Sequence, residues 1–244
     1  MDINPLNRWL KNVQGKWFGG NEGAVNKEQM AFMRRLQKDL QRRDVLVTSL
    51  NRLEVIAIDL ETTGFEPEKG DEIIAIGALK IKGKEIVPNE SFYSLVQPKK
   101  FPSQEILDLT GITKAELERA PTVSDGLFRF FQFAKHHPLI AHHAAHEKKF
   151  LQYASENSFR LLFQNKIFDT SILFRTVEPM TRLKTLDEWC AHNDIPIRNR
   201  HHALSDAKMA AELWCRYIDR AEKLGFRNLL DIYEHIAKTV DRND

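Results

Sequence analysis

An apolar, β-branched run, Val55-Ile56-Ala57-Ile58, passes without a break into Asp59-Leu60-Glu61-Thr62-Thr63-Gly64. With neither a solvated face nor a 3.6-residue stripe, this run predicts a buried strand. Successive side chains on a strand point to opposite faces, so Asp59 and Glu61 project to the same side. Two carboxylates held together at the lip of a sheet repel each other, and a bound cation relieves that repulsion. A strand end that has simply reached solvent is the competing explanation of a bare Asp-x-Glu, and the rest of the chain must decide between them.

The pattern downstream is that of a mixed sheet covered by helices. Glu72 to Lys82 and Glu85 to Val96 read as second and third strands joined by a tight turn at Gly83. Ser103 caps a short helix stopped by Gly111, Thr113 caps another with Glu116 three residues on, and Thr122 opens an amphipathic helix through Leu127, Phe130, Phe131 and Ala134. Pro138 to His142 is a short buried strand before a helix over 145–157, and Ile167 to Thr170 is another strand end before a helix to Val177. Thr185 begins a helix through Trp189. The longest helix, from Ala203 to about Leu224, carries Ala203, Ala207, Ala210, Ala211 and Trp214 on one face, and small residues there let it approach a sheet closely. A last helix runs over 227–240. Three antiparallel strands followed by alternating strands and helices define an α/β fold with a mixed β-sheet.

The net charge of +2 is too small to imply nucleic acid by itself. Its distribution is uneven, since residues 1–50 hold nine Lys or Arg against five Asp or Glu. The first 25 residues combine Trp9, Trp17 and Phe18 with several glycines, which suggests an irregular arm. From Asn26 a helix presents Met30, Met33, Leu36 and Leu40 on one stripe and Arg34, Arg35, Lys38 and Arg42 largely off it, a basic face that would suit a polyanion, a partner or plain solvent. Cys190 and Cys215 lie in helical segments without paired spacing and read as buried thiols of a reducing, cytoplasmic compartment. No apolar run reaches the roughly 20 residues a membrane span needs.

Five separated motifs occur in one order. Asp59-Leu-Glu61-Thr-Thr-Gly64 is followed by Leu109-Thr-Gly-Ile-Thr113 and then by Ala141-His142 leading into Glu147. Phe168-Asp169-Thr170 and His201-x-Ala203-x-x-Asp206 complete the set. Together they resemble the DnaQ-like, DEDDh-type 3′ to 5′ exonucleases, which include the proofreading subunits and domains of bacterial replicative polymerases. The resemblance implies a ribonuclease H-like fold with its first three strands antiparallel. It divides the chain into a basic, largely helical extension over 1–50, a catalytic domain over 51–225 and a C-terminal helix over 226–244.

It also implies roles. Asp59, Glu61 and Asp206 match the carboxylates that hold two divalent metal ions, Mg²⁺ or Mn²⁺, which all-oxygen ligation favours over zinc. His201 matches the general base, for which an imidazole near neutrality is suited. Asp169 matches a supporting acid behind the metal ligands, and its local chemistry is equally that of a helix N-cap. Thr62, Thr63, Gly64 and His142 fall where the family meets the terminal nucleotide, and Leu109 and Ile112 where apolar side chains wedge against the last bases.

One motif departs from the family. His142-His143-Ala144-Ala145-His146-Glu147 stands where His-Asn-Ala-x-Phe-Asp is usual. Glu147 would serve the second metal with a reach longer by about 1.5 Å, one carbon–carbon bond. The implied substrate is the 3′ end of DNA, single strands preferred, with a DNA polymerase as a partner acting in trans. Two alternatives remain at this point, a 3′ exoribonuclease and a weakened module that binds nucleic-acid ends or a polymerase. Neither membrane association nor an oligomeric state is implied.

Overall fold

The computed structural model describes residues 27–40 and 45–240. The expected aromatic arm, the Asn26 cap and Arg42 lie outside the described residues. Five strands form one sheet in the order β3-β2-β1-β4-β5. These are β1 (Glu54–Thr62), β2 (Ile73–Lys82), β3 (Glu85–Leu95), β4 (Leu139–Ala141) and β5 (Ile167–Asp169). β1, β2 and β3 pair antiparallel, while β4 joins β1, and β5 joins β4, in parallel. β1 is therefore central, as its apolar run requires.

Nine helices surround the sheet among the described residues. Before the sheet comes α1 (Lys27–Leu40), and after β3 come α2 (Gln104–Thr110), α3 (Lys114–Arg119) and α4 (Val123–Ala134). α5 (Ala144–Phe159) links β4 to β5, followed by α6 (Ser171–Val177), α7 (Leu186–His192), α8 (Ala203–Lys223) and α9 (Leu229–Val240). Their starts follow the local chemistry. Ser103, Thr113, Thr122 and Thr185 each accept a backbone N–H with the side chain, and Thr113–Glu116 and Thr185–Glu188 close full capping boxes. A cap of this kind contributes about 1 kcal/mol. Gly111, at φ 69°, ends α2 in the left-handed conformation that glycine adopts without strain.

The alternation of β1 sorts the interior into two layers. Ile56, Ile58 and Leu60 pack with Phe130, Phe131, Phe150 and Phe159 of α4 and α5. Val55 and Ala57 pack on the other face with Trp214 and Tyr217 of α8. Each fully buried side chain of this size stabilises the fold by about 1.5 to 3 kcal/mol relative to exposure. Met33 and Leu36 of α1 complete the first layer, and Leu229 and Ile232 of α9 complete the second. Cys190 is buried and Cys215 partly so, both as free thiols.

Asp59 and Glu61 share the face of Val55 and Ala57, the one that α8 covers. The contact is close at one point. Gly77 of β2 pairs with Asp59, and a Cβ at Gly77 would stand 2.2 Å from Ala203 C and Leu204 N at the start of α8. A glycine inside an otherwise Ile-rich strand marks such a backbone approach. Gly77→Ala is expected to push α8 off the sheet, lowering stability by about 2 to 3 kcal/mol and weakening metal binding. Urea unfolding with a parallel Mn²⁺ titration checks both effects.

Candidate active site

Pressing the first turn of α8 onto Gly77 carries Asp206, three residues further on, over the carboxylates of β1. Asp59, Glu61 and Asp206 each present an oxygen so placed that all three lie within 4.8 Å of one another. Glu147, in the first turn of α5, lies outside that trio but close enough for its charge to act on Asp59, and it is almost fully buried. Glu61 Oε1, Asp206 Oδ1 and Glu147 Oε2 are buried without a hydrogen-bond partner. Orphaned carboxylate oxygens are costly unless a cation meets them. The donor set is oxygen alone, so the residues present fit a hard divalent cation.

Crowding shows in the protonation of these acids. Asp59 is held well above the ordinary aspartate range, first by burial and then by the neighbouring Glu147 and Glu61 charges. Burial raises Glu61 to about 7 against the opposing pull of Arg200. Glu147 rises to about 8, again chiefly by burial, with Asp169 and Glu61 adding to the effect. Protons thus occupy the cluster near neutrality when no metal does.

His201 lies beside Asp206, its backbone N–H donating to Asp206 Oδ2 at 3.2 Å. Its left-handed φ of 61° turns the chain sharply just before α8. Burial, then the Arg200 charge, lower its pKa from the ordinary histidine value, which keeps the ring neutral and able to accept a proton. Next to it, the His202 ring stacks on Tyr93 with centroids 4.6 Å apart. Tyr93 pairs with Gly77 as Asp59 does, so Asp59, Gly77 and Tyr93 form one row across the sheet beneath the start of α8.

Asp169, at the end of β5, accepts the Ala144 N–H at 2.9 Å and the Ser171 N–H at 2.8 Å. One carboxylate therefore ties together the starts of α5 and α6 and fixes the helix that carries Glu147. His142 faces Thr170 Oγ1 at 3.0 Å and the Lys184 carbonyl at 3.1 Å, so both ring nitrogens meet protein partners. His146, in the place of the family's phenylalanine, packs between Phe65 and Phe150 as an aromatic ring. Burial lowers its pKa, which favours the neutral ring.

The Thr62–Gly64 turn is internally braced. Thr62 Oγ1 donates to the Gly64 carbonyl at 2.7 Å, and Thr63 Oγ1 accepts the Glu72 N–H at 2.9 Å. The two expected wedge residues separate. Leu109 is 53% exposed, whereas Ile112 is packed with Ile74, Leu107, Leu117 and Ala203.

Two residues of the site carried no warning in the sequence. Arg200 bonds Asp187 through Nε and Asp206 through Nη1. A lone arginine in a polar loop has no pattern that distinguishes it from a solvated one. Tyr93 is the other, one aromatic residue on an edge strand. Gly77 did carry a signal, its place in the middle of an apolar strand.

A family model described as exonuclease matches residues 56–214. The chain is 31% identical over 187 residues to DNA polymerase III subunit epsilon of Aquifex aeolicus, covering 77% of this chain and 89% of that protein. It is 32% identical over 179 residues to the PolC-type DNA polymerase III of Caldanaerobacter subterraneus subsp. tengcongensis, covering 73% of this chain. The chain spans only 12% of that relative's length and 14% of the PolC-type enzyme of Thermotoga petrophila. Among solved structures, the nuclease domain of 3′hExo, a DEDDh family member bound to rAMP, aligns with a TM-score of 0.61 at 23% identity, covering 68% of this chain and 92% of that one. Exonuclease X in complex with 5′ overhanging duplex DNA aligns with a TM-score of 0.56 at 21% identity over 74% and 98% of the two chains. The structural likenesses establish the ribonuclease H-like fold, and the matched span holds every carboxylate of the cluster together with His201. The chain belongs to the DnaQ-like, DEDDh-type exonuclease family.

Proposed function

We propose that the protein is a divalent-metal-dependent exonuclease that removes nucleotides from the 3′ end of DNA, single strands preferred, releasing 5′-mononucleotides. The observation that carries this reading is the convergence of Asp59, Glu61 and Asp206, with unpartnered buried oxygens on Glu61, Asp206 and Glu147, next to His201. Two metal ions, Mg²⁺ or Mn²⁺, would supply an activated water and neutralise charge developing on the phosphate.

The protein's own groups do the rest. Asp59, Glu61 and Asp206 would hold the cations, and Glu147 would add a further carboxylate oxygen from α5. His201 takes the proton of the attacking water, and its neutral ring suits that task. Asp169 holds Glu147 in place through the start of α5. The braced Thr62–Gly64 turn and exposed Leu109 receive the terminal nucleotide, with His142 and Ile112 packed behind them. The polymerase III names of the relatives support a DNA polymerase as partner.

A second reading, a 3′ exoribonuclease, draws on a similar fold described as a 3′-exonuclease with 3′-end specific recognition of a histone mRNA stem-loop. The chemistry at phosphorus is common to both polymers, and only a contact to the 2′-OH separates them. A weakened binding module is disfavoured, because clustered unpaired acids have no structural benefit.

The test is digestion of 5′-labelled single-stranded DNA, duplex DNA and RNA of matched sequence with Mg²⁺ or Mn²⁺. Stepwise shortening of DNA from the 3′ end is expected. An absence of Mn²⁺-dependent mononucleotide release from every substrate would refute the nuclease reading. Glu147→Ala is expected to lower kcat by at least about a hundredfold, as loss of a charged ligand at a reacting centre does. Unchanged cleavage by Glu147→Ala, in a preparation where Asp59→Ala is inactive, would remove Glu147 from the metal site.

A further inference from the structure

Arg200 stands in a sharp turn, between Asn199 at φ 44° and His201 at φ 61°. Its guanidinium is bracketed by two acids from different helices. Nε meets Asp187 Oδ1 in the first turn of α7, and Nη1 meets Asp206 Oδ2 in the first turn of α8. The two anchors differ in setting. The Asp187 side chain is 49% exposed, whereas that of Asp206 is 5% exposed. Oδ2 of Asp206 also accepts the His201 N–H, while Oδ1 is buried and unpartnered. Asp206 is the member of the carboxylate group that already holds a cation, one supplied by the protein itself.

We infer that Arg200 is a resident counter-ion that competes with a divalent cation for Asp206, pairing with it in the metal-free protein and withdrawing toward Asp187 when metal binds. The inference rests on the proposed reading of the carboxylate group as a metal site. A guanidinium is permanently charged and presents several donors in one plane, so it can release Asp206 while keeping its bond to Asp187. A divalent ion on the same carboxylate would repel it across a few ångströms of partly dry interior, where charges interact strongly. The exposed Asp187 offers the retreating group a hydrated position. Arg200 would thereby set the metal concentration at which the site fills, and it would keep Asp206 from standing as an unpaired buried charge before then.

The test reads Mn²⁺ binding to the metal-stripped full chain by electron paramagnetic resonance, without nucleic acid. Arg200→Met keeps most of the stem and removes the charge, and is expected to tighten Mn²⁺ binding on the order of tenfold. Asp187→Asn removes the outer anchor and leaves the full guanidinium charge to Asp206, so it is expected to weaken binding several-fold. Asp187 lies on the surface, so this second variant carries the test alone if Arg200→Met does not fold, as circular dichroism would reveal. Equal or weaker Mn²⁺ binding by folded Arg200→Met, or tighter binding by Asp187→Asn, would overturn the inference and make Arg200 an orienting group for Asp206. Wild-type protein that binds no Mn²⁺ would instead overturn the metal reading beneath it.

Discussion

Asp59→Asn is expected to abolish mononucleotide release, by at least about a thousandfold in kcat, and at the same time to make the metal-free protein more stable. The two effects have one origin. Asp59 is buried against Glu61 and Glu147, and its acid is held far above the ordinary range. In the unfolded chain that acid is free to ionise, so at neutral pH the native state forgoes a favourable deprotonation. An asparagine of the same shape has no proton to lose, which removes that penalty. The melting midpoint of the metal-free protein should rise accordingly. The gain should appear at pH 8 and vanish only below about pH 3, where an aspartate that ionises at about 3.9 in the unfolded chain is protonated in both states. Scanning calorimetry in EDTA together with a nuclease assay measures both halves. Loss of activity accompanied by loss of stability would mean that Asp59 acts as a structural residue.

The second large effect is on the pH dependence of stability. Glu61 and Glu147 rise to about 7 and about 8, while the same groups in an unfolded chain ionise near 4.3. Between those values the native state binds more protons than the unfolded state, so stability falls as pH rises and levels off above about 8. The pair interacts, and its combined loss is several kcal/mol, less than two independent groups would give. Divalent metal reverses the trend, because it binds the ionised form and stabilises the native state by mass action, about 2.7 kcal/mol at a hundredfold excess over Kd. Metal-stripped protein should therefore melt highest near pH 5, and protein in Mg²⁺ or Mn²⁺ should gain most near pH 8. Metal-free protein that is most stable at pH 8 would contradict the crowding of these carboxylates.

Both predictions concern residues that were visible in the sequence, and the reason is physical. Asp59 and Glu61 interrupt a buried strand, so local pattern marks them, while His201 and Asp206 are marked by the resemblance of their spacing to the family's motif. The caps at Ser103, Thr113, Thr122 and Thr185 were equally legible, because a cap is chemistry between residues three apart. What local pattern does not contain is the far partner. The ion pair of Arg200 with Asp187 joins groups 13 positions apart, and its second bond to Asp206 depends on how two helices meet. Leu109 and Ile112 look alike in sequence, yet one is exposed and the other buried, because only the packing of α2 and α3 against β2 distinguishes them. His142, expected as a substrate contact, instead has both ring nitrogens met by Thr170 and the Lys184 carbonyl, partners far away in sequence.

The row of Asp59, Gly77 and Tyr93 has a consequence for how the protein moves. It runs from the central strand β1 through β2 to the edge strand β3, and its inner part belongs to the region of a domain that ordinarily opens only when the whole molecule does. Small fluctuations therefore leave β1 and β2 intact, and the amide protons of Asp59 and Gly77 should exchange with solvent far more slowly than those of the edge strand. The periphery is looser, and there Phe65 and Met180 stand 79% and 89% exposed. Such a division lets the rim move while the strands beneath keep one geometry.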